Sequence, residues 1–287
     1  MFRTWSAALF RKRRHFGWTA GLLAALLSLL PRAHAQQLQM RALAASTVSI
    51  IHDSKQKSVV VMDFEGPGES VTKLGLSLAD QLSDDLTQSA AGFSVTPRTE
   101  LTEAIAKHRL ARSALRYSDI ATVIAHETDA RIVVLGQLTR GQGDTALRAT
   151  IDCYRLDSGK ELRRLSVELP LTDELQKGLS AIDDISSFTR AGHSTADGMT
   201  PPKCQECPNP PYTQAAAAHH VSTQLFISAV IGTDGSASDI YPLKDAPYGL
   251  NWSAANAIAA WKFKPAIAHD GNPMAVRQEV KFVFNYR

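Results

Sequence analysis

The chain has 287 residues, 44% of them hydrophobic, with 31 Lys and Arg against 28 Asp and Glu, a net charge of +3. Six of those basic residues (Arg3, Arg11, Lys12, Arg13, Arg14 and Arg32) and no acidic residue lie within positions 1–35, so the remainder carries a net −3. The basic balance therefore belongs to the N-terminal segment and gives no argument for nucleic-acid binding.

That segment has the layout of a secretory signal peptide. Arg11-Lys12-Arg13-Arg14 precedes an apolar run over 18–30, Pro31 breaks the run, and Ala33-His34-Ala35 supplies the small residues of a cleavage site. The run is shorter than the ~20 residues needed to span a bilayer. Cleavage before Gln36 is expected, and a Gln there rather than a Cys argues against a lipoprotein anchor. The alternative is an uncleaved N-terminal anchor. No later apolar stretch is long enough to cross a membrane, and about 250 residues suffice for one large or two ordinary domains.

Residues 36–57 are mixed and polar and read as a flexible lead-in. Val59-Val60-Val61-Met62 reads as a buried strand, and Glu65-Gly66-Pro67-Gly68 as a turn. Leu74, Leu78, Leu82 and Leu86 recur every fourth residue and predict a helix with one apolar stripe. A short strand at 93–95 follows, then helices over 100–107 and, with Ser118 as N-cap, over 119–127. An apolar β-branched run over 131–138 and the turn Gly141-Gln142-Gly143-Asp144 lead to an alternating strand through Ala149, Ile151 and Cys153. A hairpin turn at Asp157-Ser158-Gly159-Lys160 returns the chain as a strand over 161–169, and a helix over 172–188 closes the unit. This order predicts an α/β sandwich with helices on a mixed sheet across 58–188. The segments Val59–Phe64, Arg131–Gly136 and Asp157-Ser158-Gly159-Lys160 resemble the N-terminal domain of TolB and FlgO-type envelope domains. That resemblance implies an assembly or interaction module.

Residues 189–211 are rich in Gly, Ser, Thr and Pro and read as a linker. It contains Cys204-Gln205-Glu206-Cys207. A redox dithiol favours a helix N-terminus after a strand, which Pro201, Pro202 and Pro208 argue against. A zinc site needs about four ligands, and His219 and His220, being adjacent, point apart. A local Cys204–Cys207 disulfide suits an exported protein. The third cysteine, Cys153, reads as a small buried hydrophobe.

Beyond the linker, 213–218 is an alanine-rich helical turn. Leu225, Ile227, Ala229 and Ile231 share one face of a strand, Thr233-Asp234-Gly235-Ser236 turns, and 237–243 returns. Asn251 is placed to cap a helix over which Ala255, Ile258, Ala259 and Lys262 cluster, and Pro265 ends it. In the last strand Val276, Val280, Phe282, Phe284 and Tyr286 fall on one side. The strings Gly249-Leu250-Asn251-Trp252-Ser253-Ala254-Ala255 and Trp261-Lys262-Phe263-Lys264-Pro265-Ala266 are similar to the C-terminal domain of TonB-family proteins. The resemblance implies a small α+β domain over 212–287, with Leu250, Trp261, Phe263, Pro265 and Ala266 in its core.

It also implies an envelope protein of a Gram-negative-type bacterium, periplasmic once exported, with a place in transmembrane transport. Its partner would be an outer-membrane transporter or another periplasmic protein that adds an extended peptide to the terminal strand. The residues carried over for that strand are Arg277, Gln278, Glu279, Val280, Lys281, Phe282, Val283 and Phe284, with Arg277, Glu279 and Lys281 on its polar face. The sequence departs from the family pattern in three places: Tyr212-Thr213 stands for Tyr-Pro, Leu250-Asn251 for Leu-Asp, and Ser222 for Gly. It also lacks the long proline-rich rod.

No catalytic constellation is legible. Gly66-Pro67-Gly68 lacks a following Gly-Lys-Ser/Thr, and Pro67 removes a donor, so it reads as a tight turn. Asp84-Asp85 and Asp183-Asp184 read as solvated helix faces, and no cofactor or metal is implied. The expected protein is a non-enzymatic, exported envelope binder. Two alternatives stand beside it: an anchored energy transducer coupled to an inner-membrane motor, and a small-ligand protein using 58–188.

Overall fold

The computed structural model describes residues 32–67, 70–141, 145–179 and 199–286. Most of the signal-peptide reading, the turn residues 142–144, Asp183-Asp184 and the linker up to 198 lie outside the described residues.

Residues 36–57, read from sequence as a flexible lead-in, are largely helical. Helix α1 spans Arg32–Ser54. Its buried residues Met40, Leu43, Ala44, Thr47, Ile50 and Ile51 fall at three- and four-residue spacing. Small and polar neighbours dilute this stripe, so composition hides it; the Thr47 hydroxyl is absorbed by donating to the Leu43 carbonyl at 2.8 Å.

A five-stranded mixed sheet follows. Its strands are β1 (Ser58–Glu65), β2 (Ser94–Val95), β3 (Ile132–Arg140), β4 (Ala146–Arg155) and β5 (Glu161–Pro170), ordered β2-β1-β3-β4-β5. β1 runs parallel to both β2 and β3, whereas β3, β4 and β5 are antiparallel. The parallel part needs crossovers, and helices supply them: α2 (Lys73–Gln88) after β1, then α3 (Arg98–Lys107), a 3-10 turn (Arg112–Arg116) and α4 (Ser118–Glu127) after β2. The expected order of strands and helices is the one observed. The closing helix α5 is described over Asp173–Gly178, with Thr172 as its cap, and the rest of its expected length lies outside the described residues.

The sheet buries both faces. Val59, Val61, Ile132, Val134, Ala149 and Ile151 pack with α1 and α2. Val60, Met62 and Val133 pack with α3 and α4 on the other face. Asp63, fully buried, is held by Arg98 and Arg112, and Arg98 also reaches Asp80. One carboxylate thus ties β1 to the two elements that cross it, and the two cations offset the desolvation of the charge.

The C-terminal part is a separate antiparallel sheet of β7 (Thr223–Ile231), β8 (Ala237–Pro242) and β12 (Val276–Phe284), ordered β12-β7-β8. Helix α6 (Gln214–Ala218) precedes it and α7 (Leu250–Ala260) covers it. The predicted alternation holds: Leu225, Ile227, Ala229 and Ile231 are all buried, against Leu250, Ala254, Ala255 and Ile258 of α7. The turn between β7 and β8 requires its glycine. Gly235 has φ +77°, and a Cβ there would lie 2.0 Å from the Phe263 carbonyl oxygen.

Two local expectations differ. α7 ends at Ala260, and Lys262–Lys264 form strand β9, so Pro265 follows a strand rather than a helix. The 199–211 stretch is ordered: β6 (Lys203–Glu206) pairs antiparallel with β9, and Thr200 pairs with Ile267 of β10 (Ala266–Ile267), which itself pairs with β11 (Pro273–Met274). Local composition reads as linker because this strap finds its partner some 60 residues further along the chain.

The two parts share one core. Tyr117, Ile120 and Ile124 belong to the same buried cluster as Tyr241, Leu250 and Ile258.

Candidate functional site

β12 is the outer strand of the three-stranded sheet, paired through its length with β7 from Val276↔Ile231 to Phe284↔Thr223. Its even-numbered residues face the core: Val276, Phe282 and Phe284 are buried, and Gln278 and Val280 half-buried. On the opposite face Glu279, Lys281 and Val283 are exposed. Arg277 differs from the expectation of a solvent-facing guard charge. It is 3% exposed, bonded to Asp239 and to the Ser228 hydroxyl at 3.2 Å. A β-bulge explains this: Asp239, at φ +49°, breaks the β7–β8 register and turns its carboxylate toward the cation.

Exposed apolar surface gathers around the strand. Val283 is 54% exposed, and Phe226, opposite Lys281, is 37% exposed with the ammonium 5.9 Å from its ring centre. A groove of about 330 Å³ runs beside Lys281, Phe282, Val283 and Phe284, with Asn209, Pro210 and Tyr212 as its other wall. The strap thus frames the end of the edge strand.

Within the strap Cys204 and Cys207 form a disulfide, and two hydrogen bonds fix the strap to the rest of the unit. Trp261 donates its indole N–H to the Pro208 carbonyl at 2.9 Å, and the Ser253 hydroxyl donates to the Pro211 carbonyl at 2.5 Å. Leu250, Trp261, Phe263 and Ala266 are buried, and Pro265 is half-buried. His219 stacks on Tyr248, and His220 packs at a tilt against Tyr286. Cys153 is fully buried, and burial pushes its thiol up to about 12, which leaves it unreactive at neutral pH.

The other edge of this sheet is occupied. Ala111 donates its N–H to the Ile240 carbonyl, and Ile240 donates to the Arg109 carbonyl, each at 3.0 Å, in a parallel bridge centred on Leu110 and Ile240. Beside it, Asp119 caps α7: its carboxylate accepts the Trp252 N–H at 2.9 Å. The expected caps were Ser118 for α4 and Asn251 for α7. Instead Tyr117 precedes α4 without a side-chain cap, and Gly249, at φ +80°, precedes α7. Burial raises the Asp119 carboxyl above the usual carboxylate range, against the lowering effect of the bonds from Trp252 and Asn251. This cap is not legible in the local sequence because Asn251 and Trp252 lie more than 130 residues from Asp119.

Residues 208–286 match the family model of the Gram-negative bacterial TonB protein C-terminal.

No curated protein matches the chain. Among solved structures, the TonB C-terminal domain from Pseudomonas aeruginosa is 24% identical, over 31% of this chain and 89% of that one, at a TM-score of 0.27. The LpoB C-terminal domain from Salmonella enterica is 13% identical, over 46% of this chain and 96% of that one, at a TM-score of 0.36. Lipoprotein GNA1162 from Neisseria meningitidis is 16% identical, over 41% and 82%, at a TM-score of 0.32.

Each departure of the TonB-type unit from the family pattern has a local use. Thr213 caps α6, accepting the Ala216 N–H at 3.1 Å, and donates to the Tyr248 carbonyl at 2.7 Å. Ser222 accepts the Tyr286 N–H at 3.2 Å. Asn251, fully buried, donates to Asp245 at 2.8 Å and to the Ala246 carbonyl at 3.0 Å, and accepts the Ala246 N–H at 3.1 Å.

Elsewhere, a cavity of about 460 Å³ lies between α4 and the β4–β5 hairpin, over Ala121, Val133, Leu135 and Leu156. Its two arginines are already engaged, Arg116 with Glu65 and Arg155 with Asp157. Among the described residues no helix is long and apolar enough to cross a membrane.

Proposed function

We propose that this chain is an exported, non-enzymatic protein of the cell envelope that binds an outer-membrane or periplasmic partner by strand addition to β12. The acceptor is Arg277, Gln278, Glu279, Val280, Lys281, Phe282, Val283 and Phe284. The observation that carries the reading is the asymmetry of the sheet's two edges: Leu110 and its neighbours occupy the β8 side, and β12 is the outer strand on the other. An edge strand recruits an extended peptide through main-chain hydrogen bonds, with alternate side chains setting selectivity. The match to the TonB C-terminal model supports this mode, and through it a role in transport across the envelope. Glu279 and Lys281 would select against misaligned or like-charged strands.

The test is photo-crosslinking in cells, with a benzophenone side chain placed at Val283 or Lys281 and, as a control, at the exposed Ser166 of β5. Capture of an outer-membrane or periplasmic protein at the two β12 positions and not at Ser166 is expected. Equal capture at all three, or none at β12 in a folded exported protein, overturns the reading.

A further inference from the structure

Within residues 109–119, contacts to the TonB-type unit come from 109–111, 116, 117 and 119, while Arg112 faces Asp63 of the first sheet. The main chain of Arg109, Leu110 and Ala111 pairs with Ile240 on both sides of the bridge. Arg116 donates to the Tyr241 hydroxyl at 3.3 Å, and the Tyr117 hydroxyl donates to the Pro242 carbonyl at 2.6 Å. Asp119 then reaches the first turn of α7, where one oxygen accepts the Trp252 backbone N–H at 2.9 Å and the other accepts from the Asn251 side-chain amide at 3.4 Å. The segment therefore follows β8 residue by residue from Ile240 to Pro242 and ends on the helix that packs over the sheet. Such a combination resembles what a bound peptide supplies: a main-chain bridge to a sheet edge, an aromatic anchor with a satisfied hydroxyl, and an anion at a helix N-terminus. The N–H groups of the first helical turn lack intrahelical partners, and the Trp252 N–H, in that turn, finds its acceptor in Asp119.

We propose that residues 109–119 are a built-in ligand of the TonB-type unit, a clasp that engages the β8 edge and the α7 N-terminus as one cooperative contact. It commits that edge to the chain itself and leaves β12 to accept a partner strand. Only this last consequence rests on the strand-addition reading; the clasp stands on its own hydrogen bonds.

Amide hydrogen exchange on the full chain tests it, using two variants that each remove one end. Ala111→Pro deletes the N–H donated to Ile240, and Ala111, at φ −67° and ψ 145°, already has a backbone that proline adopts. Asp119→Ala deletes the cap. Because the ends act together, Asp119→Ala is expected to speed exchange at the distant Ile240 as well as at Trp252, and Ala111→Pro to speed it at Trp252. An increase on the order of tenfold is expected, the scale of a lost cap, with Val60 and Val133 of the first sheet unchanged. Faster exchange confined to each variant's own neighbour would overturn the clasp. If the exchange coupling is found while crosslinking at Val283 fails, the clasp stands and strand addition at β12 falls.

Discussion

Asp119 shows how one side chain's role follows from its surroundings and not from its local sequence. At the start of α4 it looks like a first-turn acid, and it does accept the Ile120 N–H at 3.0 Å. Its second oxygen is spent on another helix, in a site dry enough to raise its pKa. The sign of the linkage follows. The folded state holds the Asp119 proton more tightly than the unfolded state does. Its contribution to stability is therefore largest below the unfolded value, about 3.9, and declines as pH rises through the raised folded value. Acidification from neutral pH should shift the melting temperature of the wild type upward relative to Asp119→Asn. Asp85, also raised by burial, is present in both proteins and cancels in the difference. A difference that does not move with pH would contradict the burial account.

At the scale of elements, α1 and β12 were legible to different degrees. β12 alternates cleanly because one face meets the buried cluster, with Phe282 against Trp261, and the other meets solvent, so its period of two survives in the sequence. Arg277 breaks the pattern, and only the bulge at Asp239 explains its burial. α1 carries a full apolar stripe, yet alanines, serines and glutamines around it lower the contrast on which a periodic reading depends. Its burial against β5 and α2 makes it part of the first unit's core. Leu43→Ala should accordingly destabilise the protein by about 3 kcal/mol, the range for an apolar core truncation, as measured by urea unfolding. A loss below about 0.5 kcal/mol, typical of exposed positions, would return the segment to the status of a lead-in.

On the scale of the whole molecule, one buried cluster runs from the α3–α4 layer of the first sheet into the α7 layer of the second. A core shared in this way couples the stability of both parts, and heat should unfold residues 36–287 in a single transition by calorimetry. Two resolved transitions would show that the junction contributes little. Local sequence determined the strand and helix order of the first unit, the alternation of β7 and β12, the Asp-Gly turn, the buried Cys153 and the TonB-type motif, because each depends on residues within a few positions of one another. Only the tertiary structure decided that the proline-rich strap pairs with β9, that Asp119 caps α7, and that Leu110 closes the β8 edge. Those contacts join residues between about 50 and 130 positions apart, and no periodicity records which distant backbone group or carboxylate will meet a given helix end or sheet edge.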